Sequence, residues 1–157
     1  MIDFPPYYIM FNKIVLGLDG SESSLNALRY AIHLAHQDNA ELVLISAAEP
    51  NPLIAYTPGG SAYFPKIDEE ILEGMISMQK TQLDKVKAAN PGLRVSGIVE
   101  AGRPAGIIKD LSKDADLIVI GHRGNNGILS LLLGSVAREL VDTCTVPVLV
   151  VKNKEYC

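Results

Sequence analysis

The run Leu117-Ile118-Val119-Ile120-Gly121-His122-Arg123-Gly124, followed after nine further residues by Gly134-Ser135, decides how the chain is organised. Its four apolar residues predict a buried strand, and the pattern from Val136 to Cys144 predicts a helix. A helix N-terminus binds anions, because its first N–H groups have no partner within the helix and the helix dipole adds positive potential. Glycine permits positive φ and close approach of a phosphate. The stretch therefore predicts a phosphate site at the carboxyl end of a parallel strand.

Apolar runs alternate with amphipathic patterns along the rest of the chain. The predicted strands are Ile14–Leu18, Leu42–Ala47, Leu93–Glu100, Leu117–Ile120 and Val146–Val151. Helical patterns lie between them, as in the repeat of Leu28, Ala31, Ile32 and Ala35. Strict alternation of strands and helices with right-handed crossovers predicts an α/β fold with a doubly wound parallel sheet.

The composition of the chain narrows the class of protein. Its 157 residues suit one domain, and 48% hydrophobic with 20% charged residues is typical of a soluble globular protein. A net charge of -4 without a long basic run argues against charge-driven binding to nucleic acid or a membrane surface. No apolar run is long enough to span a bilayer. Two cysteines do not require an oxidising compartment, so we expect a cytoplasmic protein.

Two segments interrupt the regular pattern. Residues 1–12 contain Pro5-Pro6-Tyr7-Tyr8 and are predicted to be an N-terminal arm, which leaves residues 13–157 as a single domain. The stretch from Ala48 to Pro65 holds four prolines and predicts a loop. A loop of this length is usually a functional lid or a disordered segment.

The glycine spacing, Gly-x2-Gly-x9-Gly-Ser from Gly121 to Ser135, resembles the signature of the universal stress protein family in its ATP-binding branch. The opening Lys13–Ser21 is similar to that family's first strand and Asp-x-Ser turn, and Val146–Lys152 to its last strand. The resemblance covers nearly all of the chain. It implies an ATP-binding switch in stress response that forms a homodimer through Val146–Val151 and works with Mg²⁺ or Mn²⁺.

The resemblance also contributes to the choice of strand order, 3-2-1-4-5, in a five-stranded Rossmann-like sheet with helices on both faces. That order places the switch point between strands 1 and 4. Ligands of such sheets bind outside the carboxyl ends of the strands at the switch point. The loops there are Asp19–Ser21 and Gly121–Ser130, the same loops that the resemblance marks.

The predicted nucleotide-binding residues are Gly17, Leu18, Asp19, Ala47, Ile120, Gly121, Arg123, Gly124, Gly134, Ser135 and Val136. Asp19 can accept hydrogen bonds from ribose hydroxyls, help to hold a metal through water, or cap the following helix. Arg123 either pairs with phosphate or is a solvated loop arginine. The resemblance implies that Ala47 and Ile120 lie near adenine, and Gly17 stands where many ATP-binding members have proline.

The sequence offers little for catalysis. No Lys follows the glycines as in a Walker loop, and no serine has an evident partner for a nucleophilic triad, so no catalytic residue is predicted. His122 is the only nearby candidate for a general base, and His33 and His36 lack a third metal ligand. A nucleotide binder is therefore favoured. The alternatives are a slow ATP hydrolase or other adenine-nucleotide enzyme, and a nucleotide-free dimeric interaction protein.

Overall fold

Strands and helices alternate throughout the described part of the chain, which comprises residues 10–49, 65–124 and 133–153 of a computed structural model. The elements are β1 (Lys13–Gly17), α1 (Glu22–Asp38), β2 (Glu41–Ala48), α2 (Pro65–Ala89), β3 (Val95–Ala101), α3 (Pro104–Leu111), β4 (Leu117–Gly121), α4 (Ser135–Thr143) and β5 (Val148–Val151).

The five strands form one parallel sheet of order β3-β2-β1-β4-β5, which confirms the predicted fold. In the central register, Val15 of β1 lies between Val43 of β2 and Ile118 of β4. The chain leaves β1 toward β2 on one side and later returns to β4 on the other. The carboxyl ends of β1 and β4 consequently meet at the point where the strand order reverses.

Two apolar layers cover the sheet. Helices α1 and α2 pack on the face that contains Ile14 and Leu16, and helices α3 and α4 pack on the face that contains Val15 and Ile118. These four side chains are fully buried. A central strand that is buried on both faces needs apolar residues at every position, which explains the unbroken run at the start of the sequence.

The helix starts follow from local chemistry. Ser21 is the N-cap of α1, and its hydroxyl accepts a hydrogen bond from the Ser24 N–H. In α3, Arg103 is the N-cap and Pro104 follows it as the first residue of the helix. Proline suits that position because its φ is fixed near the helical value and its missing N–H would have had no partner within the helix.

Several predicted boundaries change in the structure. The last strand begins at Val148 rather than Val146, although the Pro147 carbonyl still accepts from the Ile118 N–H. Ala48 belongs to β2 and Pro65 begins α2, so the predicted loop is shorter at both ends. Its remaining residues 50–64, residues 1–9 of the predicted arm and residues 125–132 lie outside the described residues. No helix in the described ranges combines the length and apolarity needed to cross a membrane.

Candidate functional site

A cavity of about 270 Å³ opens at the carboxyl edge of the sheet, where β1 and β4 diverge. All eleven residues that the sequence selects as ligand contacts line this one cavity. His122, the candidate base, lies in the same lining. The structure adds residues that the sequence did not mark, namely Ser24, Glu49, Ile71, Met75, Pro104, Ile108 and Ala137. The role of the eleven in binding stays a prediction, but the fold brings them together from the ends of β1, β2 and β4 and from the start of α4.

One end of the cavity is apolar. A Cβ atom at Gly17 would lie 2.5 Å from Cδ1 of Ile120 and 2.9 Å from Cδ1 of Ile108, so these two side chains reach across the glycine and form the floor. Ile71 and Met75 of α2 line the same cavity. Such a floor and wall suit a flat apolar group.

The ends of β1 and β2 contribute mostly through their main chains. The Leu18 side chain is only 2% exposed and belongs to the core, and its N–H donates to the Ile45 carbonyl over 2.8 Å. Ala47, at the end of β2, is half-buried and presents a methyl group at most. Leu18 can therefore meet a ligand through its backbone rather than through its side chain.

Asp19 organises the turn between β1 and α1. Its Oδ1 accepts from the N–H of Ser21 at 3.0 Å and from the Ser21 hydroxyl at 2.6 Å. The Ser21 hydroxyl in turn caps α1, so Asp19 orients the cap instead of being the cap itself. The other carboxylate oxygen, Oδ2, lies against Gly124, where an added Cβ would be 2.7 Å from it.

The two glycines after β4 are needed for close packing. A Cβ at Gly121 would come within 2.6–2.8 Å of the Ser23 hydroxyl, carbonyl carbon and carbonyl oxygen, so only glycine lets β4 pass the first turn of α1. Gly124 leaves room for the Asp19 carboxylate in the same way. Neither residue has a positive φ, nor does Gly134, so these positions do not use the left-handed backbone that glycine permits. These glycines provide space, not an unusual conformation.

The start of α4 forms the polar end of the cavity. Gly134 is the N-cap, with φ -61° and ψ 156°, and it carries no side chain to accept from the helix. The first turn of α4 has no acidic residue, and Ser135, Val136 and Ala137 all line the cavity. Because the first N–H groups of a helix lack partners within it, this start offers donors and positive potential to an anion.

His122 and Arg123 lie between β4 and the loop that follows. His122 is 6% exposed, and its ring Nδ1 lies 3.0 Å from the Ser23 hydroxyl. Burial lowers the pKa of His122, and the Arg123 charge lowers it further, so the ring is neutral at pH 7. Arg123 is half-buried at the cavity wall, which leaves both of its predicted roles open.

The described residues contain no group of three or more His, Cys, Asp and Glu side chains arranged to hold a metal ion. His36 instead places Nε2 3.0 Å from the Asn90 side-chain oxygen, and His33 is exposed on the same helix. The described side chains therefore do not complete a coordination sphere around a divalent ion at Asp19, and a bound phosphate and water could supply oxygen ligands there.

A larger depression, of about 670 Å³, runs along the outer side of α1 and contains Arg29, Tyr30 and Asn153. It is shallow and includes none of the predicted ligand contacts. Of these two, the smaller cavity at the sheet edge is the better site, because it combines an apolar floor with the donors at the start of α4.

The sequence missed Ile71, Met75 and Ile108 as cavity residues for a physical reason. An apolar side chain on the inner face of a helix produces the same periodic pattern whether it meets the core or the rim of a cleft. The spacing of Ile71 and Met75, one helical turn apart on α2, indicates a shared face but not the edge of the sheet to which that face extends.

Comparisons with known proteins give a consistent result. Residues 10–152 match the universal stress protein family. The universal stress protein YxiE of Bacillus subtilis is 35% identical over 151 residues, which cover 91% of this chain and 100% of that protein. The universal stress protein MJ0531 of Methanocaldococcus jannaschii is 35% identical over 148 residues, with coverage of 92% and 84%.

Solved structures share the fold. The universal stress protein UspA from Lactobacillus plantarum superposes with a TM-score of 0.76 at 21% identity, and covers 92% of this chain and 99% of its own. A universal stress protein solved in complex with cAMP gives a TM-score of 0.66 at 25% identity, with coverage of 91% and 98%.

Proposed function

The chain belongs to the universal stress protein family, and on that premise we propose that it binds an adenine nucleotide, ATP foremost, at the carboxyl edge of its sheet. One observation carries the proposal. A single cavity joins an apolar end, floored by Ile108 and Ile120, to a polar end at the uncapped start of α4. A nucleotide has the same two parts, a flat base and a charged phosphate. The relative solved with cAMP supports the same ligand class.

Each part of the nucleotide has a counterpart in the cavity. The base lies over Gly17 and Ile120 and beside Ala47, where the surface is apolar. The N–H groups of Ser135 and Val136, in the first turn of α4, hold phosphate oxygens, and Arg123 is a charged partner. Gly134 gives the phosphate room beside them, because it has no side chain and its own N–H donates to the His122 carbonyl. Asp19 Oδ2 accepts from ribose hydroxyls or, through water, helps to hold Mg²⁺ or Mn²⁺ that the phosphates coordinate.

The role that we propose for the protein is that of a nucleotide-dependent switch in the cytoplasm, not of an efficient enzyme. Hydrolysis needs a base that positions water at the terminal phosphate. The Nδ1 atom of His122 lies by the Ser23 hydroxyl, and the Asp19 Oδ1 atom holds Ser21. Both of these atoms therefore already serve the packing of α1. Slow hydrolysis remains the alternative, and a steady-state assay giving brisk turnover that is lost in His122→Ala would favour it.

The test is mass spectrometry of small molecules that denaturation releases from the purified protein, followed by calorimetric titration with ATP, ADP and AMP. Co-purified ATP, or ATP binding tighter than AMP binding, supports the proposal. AMP alone keeps the adenine-nucleotide class and overturns the ATP assignment. If no nucleotide is released and none binds, the nucleotide-free interaction protein becomes the better interpretation.

The same proposal includes a homodimer through the segment Val146–Val151. Among the described strands, β5 has a neighbour only on its β4 side, and Val148, Leu149 and Val150 are half-buried. An apolar edge strand with free backbone groups favours pairing with another chain. Light scattering should show a dimer at micromolar concentration, and Val150→Lys should shift it to monomer. A monomeric unmodified protein would contradict this assembly.

A further inference from the structure

Helix α2 carries a buried amide. Gln79 is only 5% exposed, and its Nε2 lies 3.0 Å from the Leu44 carbonyl, 3.0 Å from the Ser46 hydroxyl and 2.9 Å from the Ile98 carbonyl. Two of these acceptors are carbonyl oxygens, so the amide orientation is fixed with nitrogen toward the sheet. Burying an amide is unfavourable unless its polar atoms find partners, and here they join α2 to both β2 and β3.

The space for this amide comes from β3. A Cβ at Gly97 would lie 2.5 Å from the Gln79 side-chain oxygen and 3.0 Å from its amide carbon. Any other residue at Gly97 would push the Gln79 amide away from β2. Gly97 and Gln79 are therefore matched, although 18 positions separate them in the sequence.

From the amide, the hydrogen bonds continue to the ligand cavity. Ser46 is 1% exposed, and its hydroxyl donates to the Leu18 carbonyl over 2.7 Å. Because that single hydroxyl hydrogen goes to Leu18, the contact between Ser46 and Gln79 has the amide as its donor. The Leu18 carbonyl belongs to the peptide that leads directly to Asp19. Two buried hydrogen bonds thus connect α2 to the turn that carries Asp19.

Helix α2 meets the same turn at a second point. Gly20 has a φ of +80°, and a Cβ there would lie 3.2 Å from Cγ of Met78. Ile71, Met75 and Gln79 follow one another at intervals of four residues on α2, and the first two line the cavity. One face of α2 therefore forms a wall of the cavity and also supports the β1–α1 turn.

We infer that Gln79 and Ser46 are positioning residues of the site: they hold the Leu18 carbonyl, so that Asp19 is presented to the ligand and the placement of α2 is coupled to nucleotide binding. This inference rests on the proposed function for its ligand. Neither residue touches the nucleotide, and both act through the Leu18–Asp19 peptide.

Ser46→Ala removes the hydrogen bonds from Ser46 to Leu18 and from Gln79 to Ser46. It leaves no amide hydrogen of Gln79 unpaired, because the Leu44 and Ile98 carbonyls still accept from both. Val86→Ala is the control, since Val86 is buried on α2, the helix that carries Gln79, and lies outside the cavity. We expect Ser46→Ala to weaken ATP binding about fivefold, the size of one neutral hydrogen bond. Val86→Ala should destabilise the fold and leave the affinity unchanged. Gln79→Met, which keeps the side-chain length, should act in the same direction as Ser46→Ala.

A second readout needs no ligand. The Asp19 N–H donates to the Ser24 hydroxyl and the Ser21 N–H to Asp19, so amide hydrogen exchange at these two positions reports the order of the turn. Exchange there should be faster in Ser46→Ala than in Val86→Ala. Unchanged exchange in folded Ser46→Ala overturns the inference, and so does unchanged ATP affinity in a protein that binds ATP. If the unmodified protein binds no nucleotide, the proposed function fails, and the exchange data alone decide whether the turn is anchored through Ser46.

Discussion

Helices α1 and α4 begin at the same edge of the sheet, yet their N-termini are built for different purposes. At α1, Ser21 caps the helix, Asp19 orients the cap, and Glu22 adds a negative charge in the first turn. At α4, Gly134 provides no side chain and the first turn has no acidic residue. The helix dipole is the same in both. Among the described residues, the Ser21 side chain accepts from the Ser24 N–H in the first turn of α1, whereas no N-cap side chain accepts from the first turn of α4.

Because of this difference, we expect the residues that affect folding stability and those that affect ligand binding to lie at different helix starts along the same edge of the sheet. Changes at the closed start of α1 should act mainly on the free energy of unfolding, because that start has its own cap. Changes at the open start of α4 should act mainly on nucleotide affinity. Asp19 belongs to both regions, since one carboxylate oxygen holds the α1 cap and the other faces Gly124.

The largest effect is expected when α4 is given the cap that α1 has. Gly134→Asp would place a carboxylate at the N-cap, where it accepts from the helix and repels phosphate. We expect ATP affinity to fall about 100-fold, or roughly 3 kcal/mol, while the helix itself gains a cap. Gly134 has an ordinary φ, so the backbone tolerates a side chain, although its Cβ would lie 3.1 Å from the His122 carbonyl.

Gly134→Asn is the control for this experiment, because it has the same shape without the charge. Calorimetric titration with ATP, with circular dichroism to check the fold, should show a smaller loss for Asn than for Asp. Equal affinities of folded Gly134→Asp and the unmodified protein would mean that the phosphate does not lie at α4.

Asp19→Ala should have the next largest effect, because it affects both regions. We expect ATP affinity to fall about tenfold through the ribose or metal end, in line with one hydrogen bond to a charged group. Inorganic phosphate should bind nearly as before, since its contacts are at α4. A competition assay with phosphate provides the comparison, and an equal loss for both ligands would place Asp19 at the phosphate instead.

Ser21→Ala should have the opposite profile. Loss of this N-cap costs about 1 kcal/mol of folding stability, measured as a lower urea midpoint. ATP affinity should fall less than in Asp19→Ala, because the carboxylate remains in place. If Ser21→Ala is as stable as the unmodified protein, the Ser21 cap does not stabilise α1, and the contrast with the uncapped start of α4 is lost.

The smallest effect is the one that His122 has on the pH dependence of folding stability. His122 lies after β4 and contacts Ser23 of α1, so it joins the two regions. Burial lowers its pKa below the usual value of about 6.5, so at mildly acidic pH the unfolded chain binds more protons than the folded one. The contribution of neutral His122 to the free energy of unfolding is complete above about pH 6.5, and it is lost as the pH falls from that value. Urea midpoints at pH 7.5 and pH 5 should differ less in His122→Asn than in the unmodified protein. Equal differences would assign the pH dependence to other groups.

The sequence predicted the fold well, because strands such as β1 and β4 are buried on both faces and their apolar runs are unmistakable. It was less informative about why particular residues are needed. Gly121 has the spacing of a phosphate-binding glycine, yet its close neighbour is Ser23, and nothing local in the sequence indicates that contact. The pair Gly97 and Gln79 was likewise invisible, because partners from different elements meet only after the sheet has formed.

The His122 peptide has a consequence for the order in which the protein is made. Its N–H donates to the Val151 carbonyl, and its carbonyl accepts from the Gly134 N–H that begins α4. Of the described elements, β5 is the last to be synthesised. A nascent chain can assemble β1, β2 and β3 early, because domains fold progressively during translation. The His122 backbone is held on both sides only after Val151 has left the ribosome, so the proposed nucleotide site is completed after β5 has been made.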